Sequence, residues 1–493
     1  MSDMENNSKN NQENEPSKKR RSRRKMSKKK FLQQYEQKPK KFLTVSLPEE
    51  KMEEDKNVLI TLYTKQQRFA VPKSSISVPD DTDPTGLNRM LSTMLEQSNL
   101  KESPPVFDFL VDGVMLHGAL SKFLEESEAS NREGGLVIEY LEQLPPPIPK
   151  DALNHDDWVA ALHFSQDKLL ITGCYDNTIH IWRPNVGDGT KKATKVLSDD
   201  TEAHIIKITD AHKAPVKAIS WIPKKNHCFV SGGMDQSVRI WQWDAKSNRV
   251  RCVYKCRGHT QSIESLAVAA DGELVASGSW EGALKIWTTG DEDIIEAKDD
   301  EPESKKSRST VDPPKNKGPR ATLSNHTQSV SGLVWPTLRT LASCSWDNSV
   351  RLWDVEAQQA TGHYVGPCAC LSLDSSPFNN TIIFSAMDAR IRLLDPRSGD
   401  GLILEKTFQH HKRWANSVKW SPTNEYHFAS GGFDNVVKLW DIRSCRSPLF
   451  EMLSHEDKVL AIDWSRPGVL FSGSADCNVK VFLLPRNASH EDQ

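Results

Sequence analysis

Histidine, serine or threonine, and aspartate recur at a fixed spacing through the second two thirds of the chain. Met singly, these residue types would suggest a nucleophile with its general base. Four copies are complete: His155, Thr172, Asp176 and Trp182; His212, Ser231, Asp235 and Trp241; His326, Ser343, Asp347 and Trp353; His411, Ser430, Asp434 and Trp440. In each, the hydroxyl residue follows the histidine by 17–19 positions, the acid comes four later and the tryptophan six beyond that. Two further copies bend the pattern, one with Glu281 as its acid beside His259, Ser277 and Trp287, the last with Phe482 in the tryptophan place after His455, Ser472 and Asp476. A weaker copy is anchored by Asp388 and Leu394 and has no convincing histidine. An enzyme needs one catalytic triad, whereas sixfold repetition is the mark of a structural device. The four groups can satisfy one another as a buried hydrogen-bonded chain, and breaking one member should strand the others at roughly 1–3 kcal/mol.

The elements that position these residues are strands. The acids at 176, 235, 281, 347, 388, 434 and 476 define a unit of 41–46 residues with two longer intervals. Within a unit, segments such as TIHIW (178–182) and SVRLW (349–353) alternate at period two, and a shorter strand and a Gly/Asp turn precede each one. With the Trp353-Asp354 and Trp440-Asp441 endings, the chain resembles the WD40 family, whose units are four-stranded propeller blades. The resemblance implies an all-β seven-bladed ring over residues 155–487 that serves as a binding scaffold, not an enzyme.

No Walker A, HExxH or GxSxG motif is present, and GDGTKK (187–192) lacks the Gly-Lys-Ser/Thr ending of a phosphate loop. The nine cysteines have no zinc-finger spacing and read as reduced structural thiols. With no run of 18 apolar residues and a polar amino terminus, a soluble, intracellular chain without membrane attachment is expected. The net charge of −2 hides an asymmetry, since residues 1–42 hold fourteen Lys/Arg against five Asp/Glu. Ten of the thirteen residues from 18 to 30 are basic, so residues 1–50 read as a disordered tail: a nuclear or nucleolar address, an rRNA-binding arm, or an inert end. Residues 184–210 and about 288–322 lengthen two intervals, and the second, acidic then basic with two adjacent prolines, reads as a disordered loop. The exposed loops read as polar throughout, so neither face of the ring is singled out for partners.

Residues 57–143 have another texture. Two alternating stretches, VLITLY (58–63) and QRFAV (67–71), read as a hairpin; Leu87, Met90, Leu91, Met94 and Leu95 have helical spacing; then come VFDFLV (106–111), an Asp112-Gly113 turn, an amphipathic segment at 120–124 and a strand at 136–140. That order is the α+β order of a ubiquitin-like β-grasp domain, and residues 144–154, opening on Pro145-Pro146-Pro147, read as a stiff linker. A free terminal Gly-Gly is absent, which excludes a conjugated modifier.

FDFLVDGVMLHGAL (107–120), EGGLVIEYLEQ (133–143) and HDDW (155–158) resemble the ribosome-biogenesis WD-repeat proteins of the Pescadillo complex, with a Notchless-like amino-terminal domain. The resemblance covers about residues 57–487. It implies a nuclear, nucleolar and nucleoplasmic factor for the large (60S) ribosomal subunit and for maturation of the 28S and 5.8S rRNA. The implied partners are Pescadillo, the block-of-proliferation WD-repeat protein, the pre-ribosome and the AAA ATPase midasin. By position it assigns Glu133 as the carboxylate completing a Mg²⁺ site on midasin, an oxygen ligand suited to a hard cation, while the chain holds no cofactor of its own. A rival reading is a substrate receptor of a cullin-type ubiquitin ligase, resting on Trp440-Asp441-Ile442-Arg443 and, in part, Leu394-Asp395-Pro396-Arg397.

Overall fold

A computed structural model describes residues 57–97, 105–126, 135–186, 204–295, 313–397 and 402–484. Glu133, the tail, GDGTKK and the centres of both insertions lie outside them.

The amino-terminal domain is one sheet and one principal helix. Strands β1 (Asn57–Tyr63), β2 (Ser75–Pro79), β3 (Phe107–Val111), β4 (Val114–Met115) and β5 (Leu136–Glu142) take the order β2-β1-β5-β3-β4. β1 and β5 are parallel and the other pairs antiparallel. Helix α1 (Pro84–Gln97) starts with Pro84, where a missing N–H costs nothing, and the Asp83 carboxylate accepts the Gly86 N–H at 2.7 Å. Leu87, Leu91 and Leu95 then fall on one face and are buried against the sheet. A second helix, α2, spans Leu120–Glu126.

The expected second strand at 67–71 is instead a 3-10 turn, Gln67–Phe69, and β2 begins at Ser75. Phe69 is drawn into the core, where its carbonyl accepts the buried Tyr140 hydroxyl at 2.6 Å. Pro72 has no N–H to give a ladder. The alternation that pairs with β1 is Ser75-Ile76-Ser77-Val78.

Seven sheets follow, each built on four antiparallel strands. Their innermost strands are, in chain order, Val159–Phe164, Val216–Trp221, Ile263–Val268, Val330–Val334, Cys370–Ser375, Ala415–Trp420 and Val459–Arg466, numbered here as sheets I to VII. Each innermost strand contacts the next and the last contacts the first, closing a ring. The cores lie between neighbouring sheets, as where Phe164 of sheet I meets Phe471 of sheet VII with ring centroids 4.6 Å apart. This is the architecture of a WD40 propeller.

Three connections carry strands that their composition does not announce. The linker over 144–154 is irregular only in its first part, because Ile148–Asn154 is the outer strand of sheet VII, paired with Asn478–Leu483. Joining the start of the ring to its end leaves no open seam. In the first insertion, His204–Ile208 is the outer strand of sheet I. In the second, Lys315–Lys317 adds a parallel fifth strand to sheet II and Ala321–Ser324 completes sheet III, so only the stretch between 295 and 313 lies outside the described residues. The insertion returns because Lys317 is wholly buried, its ammonium donating to the Thr288 carbonyl at 2.8 Å, the Thr288 hydroxyl at 3.0 Å and the Gly290 carbonyl.

Candidate functional site: the buried histidine chains, the domain seat and the ring mouth

In the four complete repeats the histidine sits in the loop entering a sheet, the hydroxyl residue on the second strand, the acid in the turn after it and the tryptophan on the third strand. Trp241 donates its indole N–H to Ser231 Oγ at 2.8 Å, Ser231 meets His212 Nε2 at 2.6 Å, and His212 Nδ1 meets Asp235 at 2.9 Å. Only one assignment of protons satisfies every atom: the serine donates to Nε2 and Nδ1–H donates to the carboxylate. The same chain runs through Trp353, Ser343, His326 and Asp347, and through Trp440, Ser430, His411 and Asp434, with every link between 2.7 and 3.0 Å. Glu281 takes the acid's part in sheet III, 2.5 Å from His259 Nδ1. Burial alone would raise Asp235 and Asp347, but bonds from the histidine, a neighbouring serine and a backbone N–H outweigh it and hold both carboxyls well below the usual range. Burial lowers His212 and His259. The histidines and serines of the His212, His326 and His411 chains are buried and bonded to one another, an arrangement that pins each turn to its sheet.

Sheet I departs from the chain expected for it. His155 Nε2 reaches Thr172 at 2.8 Å, and Trp182 reaches the same hydroxyl at 3.3 Å, but Nδ1 turns to the Leu153 carbonyl at 3.0 Å rather than to Asp176. Asp176 instead accepts from Thr178, whose hydroxyl is 3.0 Å from His180 Nε2, and His180 Nδ1 lies 3.0 Å from His204 Nε2. A third-strand histidine thus fills the space that would bring Asp176 to His155. Burial lowers His155 to about 4 and His180 to about 3. Among the described residues no cluster of histidine, cysteine or acid can hold a metal ion.

The amino-terminal domain is seated on sheet VI. Leu110, Met115 and Leu141 form a small buried cluster to which Leu449 is added, and His117 Nε2 lies 2.6 Å from Ser447 Oγ. Arg443 holds Asp441 at 2.6 Å and stacks on Tyr426, its carbon 4.2 Å from the ring centroid, while the Asp112-Gly113 turn packs against the Arg443 carbonyl. The Trp-Asp-x-Arg segment on which the ligase reading rested is therefore covered from within the chain.

A model of the NLE (NUC135) domain matches residues 58–124, and a model of the WD domain, G-beta repeat, matches 150–183, 204–242, 250–288, 317–354, 403–441 and 446–482. A ribosome biogenesis protein WDR12 homolog of Aedes aegypti is 39% identical over 424 residues, 85% of this chain and 94% of that protein. Homologs of the same name from Ixodes scapularis and Culex quinquefasciatus are 36% and 37% identical, covering 87% and 85% of this chain and 99% and 94% of their own. The chain belongs to the WDR12 family.

Within this family member, the repeat that the WD model passes over is sheet V, where the histidine is missing. Of the two segments flanking Glu133, only the following one is described: Gly135 has φ +78°, and a side chain there would meet the Leu59 carbonyl at 2.8 Å.

The loops at one mouth of the ring correct the expectation that they are polar throughout. In all seven sheets the residue just before the innermost strand accepts, at 2.7–3.0 Å, the N–H of the residue just before the turn acid, so the two stand side by side. In sheet I these are Trp158 and Tyr175, in sheet VI Trp414 and Phe433, and Trp280 of sheet III faces Trp346 of sheet IV at 6.0 Å. Trp158, Trp280 and Trp414 are 37%, 41% and 42% exposed. Their signal in the sequence is positional, three residues after each histidine or one before each acid.

Proposed function

We propose that this WDR12-family chain is a non-catalytic scaffold in large (60S) ribosomal subunit biogenesis, acting in maturation of the 28S and 5.8S rRNA in the nucleolus and nucleoplasm. The seven sheets are taken as the seven blades of its WD40 ring, and the amino-terminal domain as ubiquitin-like. The ring would hold the chain in a complex with Pescadillo and the block-of-proliferation protein on the pre-ribosome, and the amino-terminal domain would engage midasin. Glu133 would complete the coordination of a Mg²⁺ held by that ATPase, and the basic tail would act as nuclear address, rRNA contact or both. The observation that carries this reading is the similarity to ribosome biogenesis proteins over both domains together. A physical relation supports it: a domain seated on the ring through Leu110, Met115, Leu141 and Leu449 passes a pull at its far side to whatever the ring grips.

The test is purification of the tagged full chain from nuclei. Pescadillo, the block-of-proliferation protein, midasin and large-subunit precursor RNA should copurify. Glu133→Asp, which shortens the carboxylate's reach by about 1.5 Å, should lose midasin alone and retain the rest. Midasin retained by that variant would refute the role of Glu133, and absence of all four would refute the scaffold reading.

A further inference from the structure

The ring mouth carries a built arrangement on one side. Trp414 and Phe433 of sheet VI pack with ring centroids 5.6 Å apart, Trp158 and Tyr175 of sheet I pack at 5.3 Å, and Lys458 of sheet VII lies between the two pairs. Its ammonium is 4.2 Å from the Trp158 centroid and 5.7 Å from that of Phe433. Trp158, Lys458 and Trp414 hold the same place in three adjacent sheets, so the rings form one arc.

The surrounding charge is divided. Asp157, Glu456 and Asp457 flank the arc at sheets I and VII, whereas Lys412 and Arg413, both exposed, stand beside Trp414 at sheet VI. A polyphosphate backbone would meet the three acids, and a uniformly basic segment would meet the two cations. A short stretch of mixed charge suits both sides. Aromatic faces attract cations electrostatically, and these already hold two: Lys458, and Lys217, which lies 5.2 Å from the Tyr175 centroid and is paired with Glu264.

We propose that this arc is a docking site for an extended loop of a protein partner, with an arginine or lysine over Trp158 and an acidic residue turned toward Lys412 and Arg413. Lys458 is its built-in competitor: it occupies the ring faces in the free chain and yields them when the partner's cation arrives. The inference does not depend on the ribosomal role, because it rests on the mouth alone.

The probe is a synthetic peptide with one arginine and one glutamate three residues apart, titrated into the full chain and followed by tryptophan fluorescence and calorimetry. Saturable binding is expected, lost when citrulline replaces the arginine. Trp158→Ala should weaken it about five- to thirty-fold, the range of a desolvated cation–π contact, and Trp158→Phe should restore most of it. Lys458→Met should tighten it about threefold or more, a gain that a damaged fold cannot produce. Thermal unfolding of each variant checks the ring. Absence of saturable binding, binding indifferent to Trp158→Ala, or no gain with Lys458→Met would overturn the proposal. So would preferential binding of an oligouridylate at the same residues, or peptide binding that appears only after removal of residues 1–55.

Discussion

Phe384 stands in sheet V where Ser430 stands in sheet VI, four residues before the turn acid, and with that one change the rest of the polar chain is gone. Leu394 replaces the tryptophan, so no indole N–H is left seeking an acceptor, and both side chains join one apolar cluster. Asp388, without a histidine, takes the Arg392 guanidinium, itself 3% exposed and facing the Phe384 ring. The two solutions respond differently to truncation. Ser430→Ala strands the Trp440 N–H and His411 Nε2 and should lower stability by roughly 1–3 kcal/mol. Ser385→Ala removes a buried hydroxyl that has no hydrogen-bond partner among the described residues, and should change stability by less than about 0.5 kcal/mol. Urea unfolding of the two variants side by side checks this, and equal losses would contradict it.

The histidine cluster of sheet I makes the ring acid-sensitive in a defined window. His155 and His180 are held neutral by burial, at about 4 and about 3, against an unfolded value near 6.5. A base with a depressed folded value contributes stability that is fully present above about pH 6.5. That stability is lost as the pH falls toward 4, because the unfolded chain takes up protons the folded chain refuses. Each such proton steepens the loss by about 1.4 kcal/mol per pH unit. His180→Leu should flatten the fall in unfolding midpoint between pH 6.5 and 4, whatever it does to stability at pH 7.5. An unchanged slope would mean that His180 is protonated in the fold.

Much of this was legible in the sequence because it is periodic. The six histidines, their hydroxyl partners and the acids could be aligned by counting, and the structure places them in the same loop, strand and turn each time. What the count misjudged were places where one side chain decides. His180 replaces a position that is basic in the other copies, such as Arg239 and Lys438, and its ring diverts Asp176. The strand expected at 67–71 failed because Phe69 gains more from the core than from a ladder. The outer strands at 148–154, 204–208 and 315–317 have little alternation to show, being half exposed at the rim of their sheets. The aromatic mouth escaped because its residues are scattered one or two per repeat and meet only when the ring closes.

The two Asp-x-Arg segments are alike in sequence and differ in surroundings. Arg443 and Asp441 are 17% and 2% exposed in their side chains, beneath the amino-terminal domain, while Arg397 and Asp395 are 61% and 29% exposed. Burial alone would raise Asp441, but His427 and Arg443 hold it well below the usual range. Arg443→Ala leaves that carboxylate buried and should cost about 3–5 kcal/mol, whereas Arg397→Ala should cost at most about 1 kcal/mol. Thermal unfolding distinguishes them. Lys65 of the amino-terminal domain lies 6.0 Å from the centroid of the Tyr426 ring that Arg443 stacks on, so Arg443→Ala should also loosen that domain, read as faster proteolysis at residues 144–147, and intact protection there would argue that Leu449 and Ser447 suffice to seat it.

Lys317 supplies the last expectation, since it explains why a stretch so charged comes back to the fold. Its ammonium is enclosed by the Thr288 and Gly290 carbonyls and the Thr288 hydroxyl, and lies 4.5 Å from the Tyr254 ring centroid. Burial lowers its proton affinity, yet the acceptors around it suit only a cation. Lys317→Met keeps the length and apolar stem of the side chain but leaves these carbonyls without a donor, at about 2–3 kcal/mol. Sheets II and III are bridged at this point, so hydrogen exchange should quicken at Tyr254, Lys255 and Cys256, which face the added strand, and at Ala321 and Leu323 beyond it. Strands on the far side of the ring, such as Ala415–Trp420, should keep their protection. Uniformly faster exchange would mean that Lys317 serves the whole ring rather than this junction.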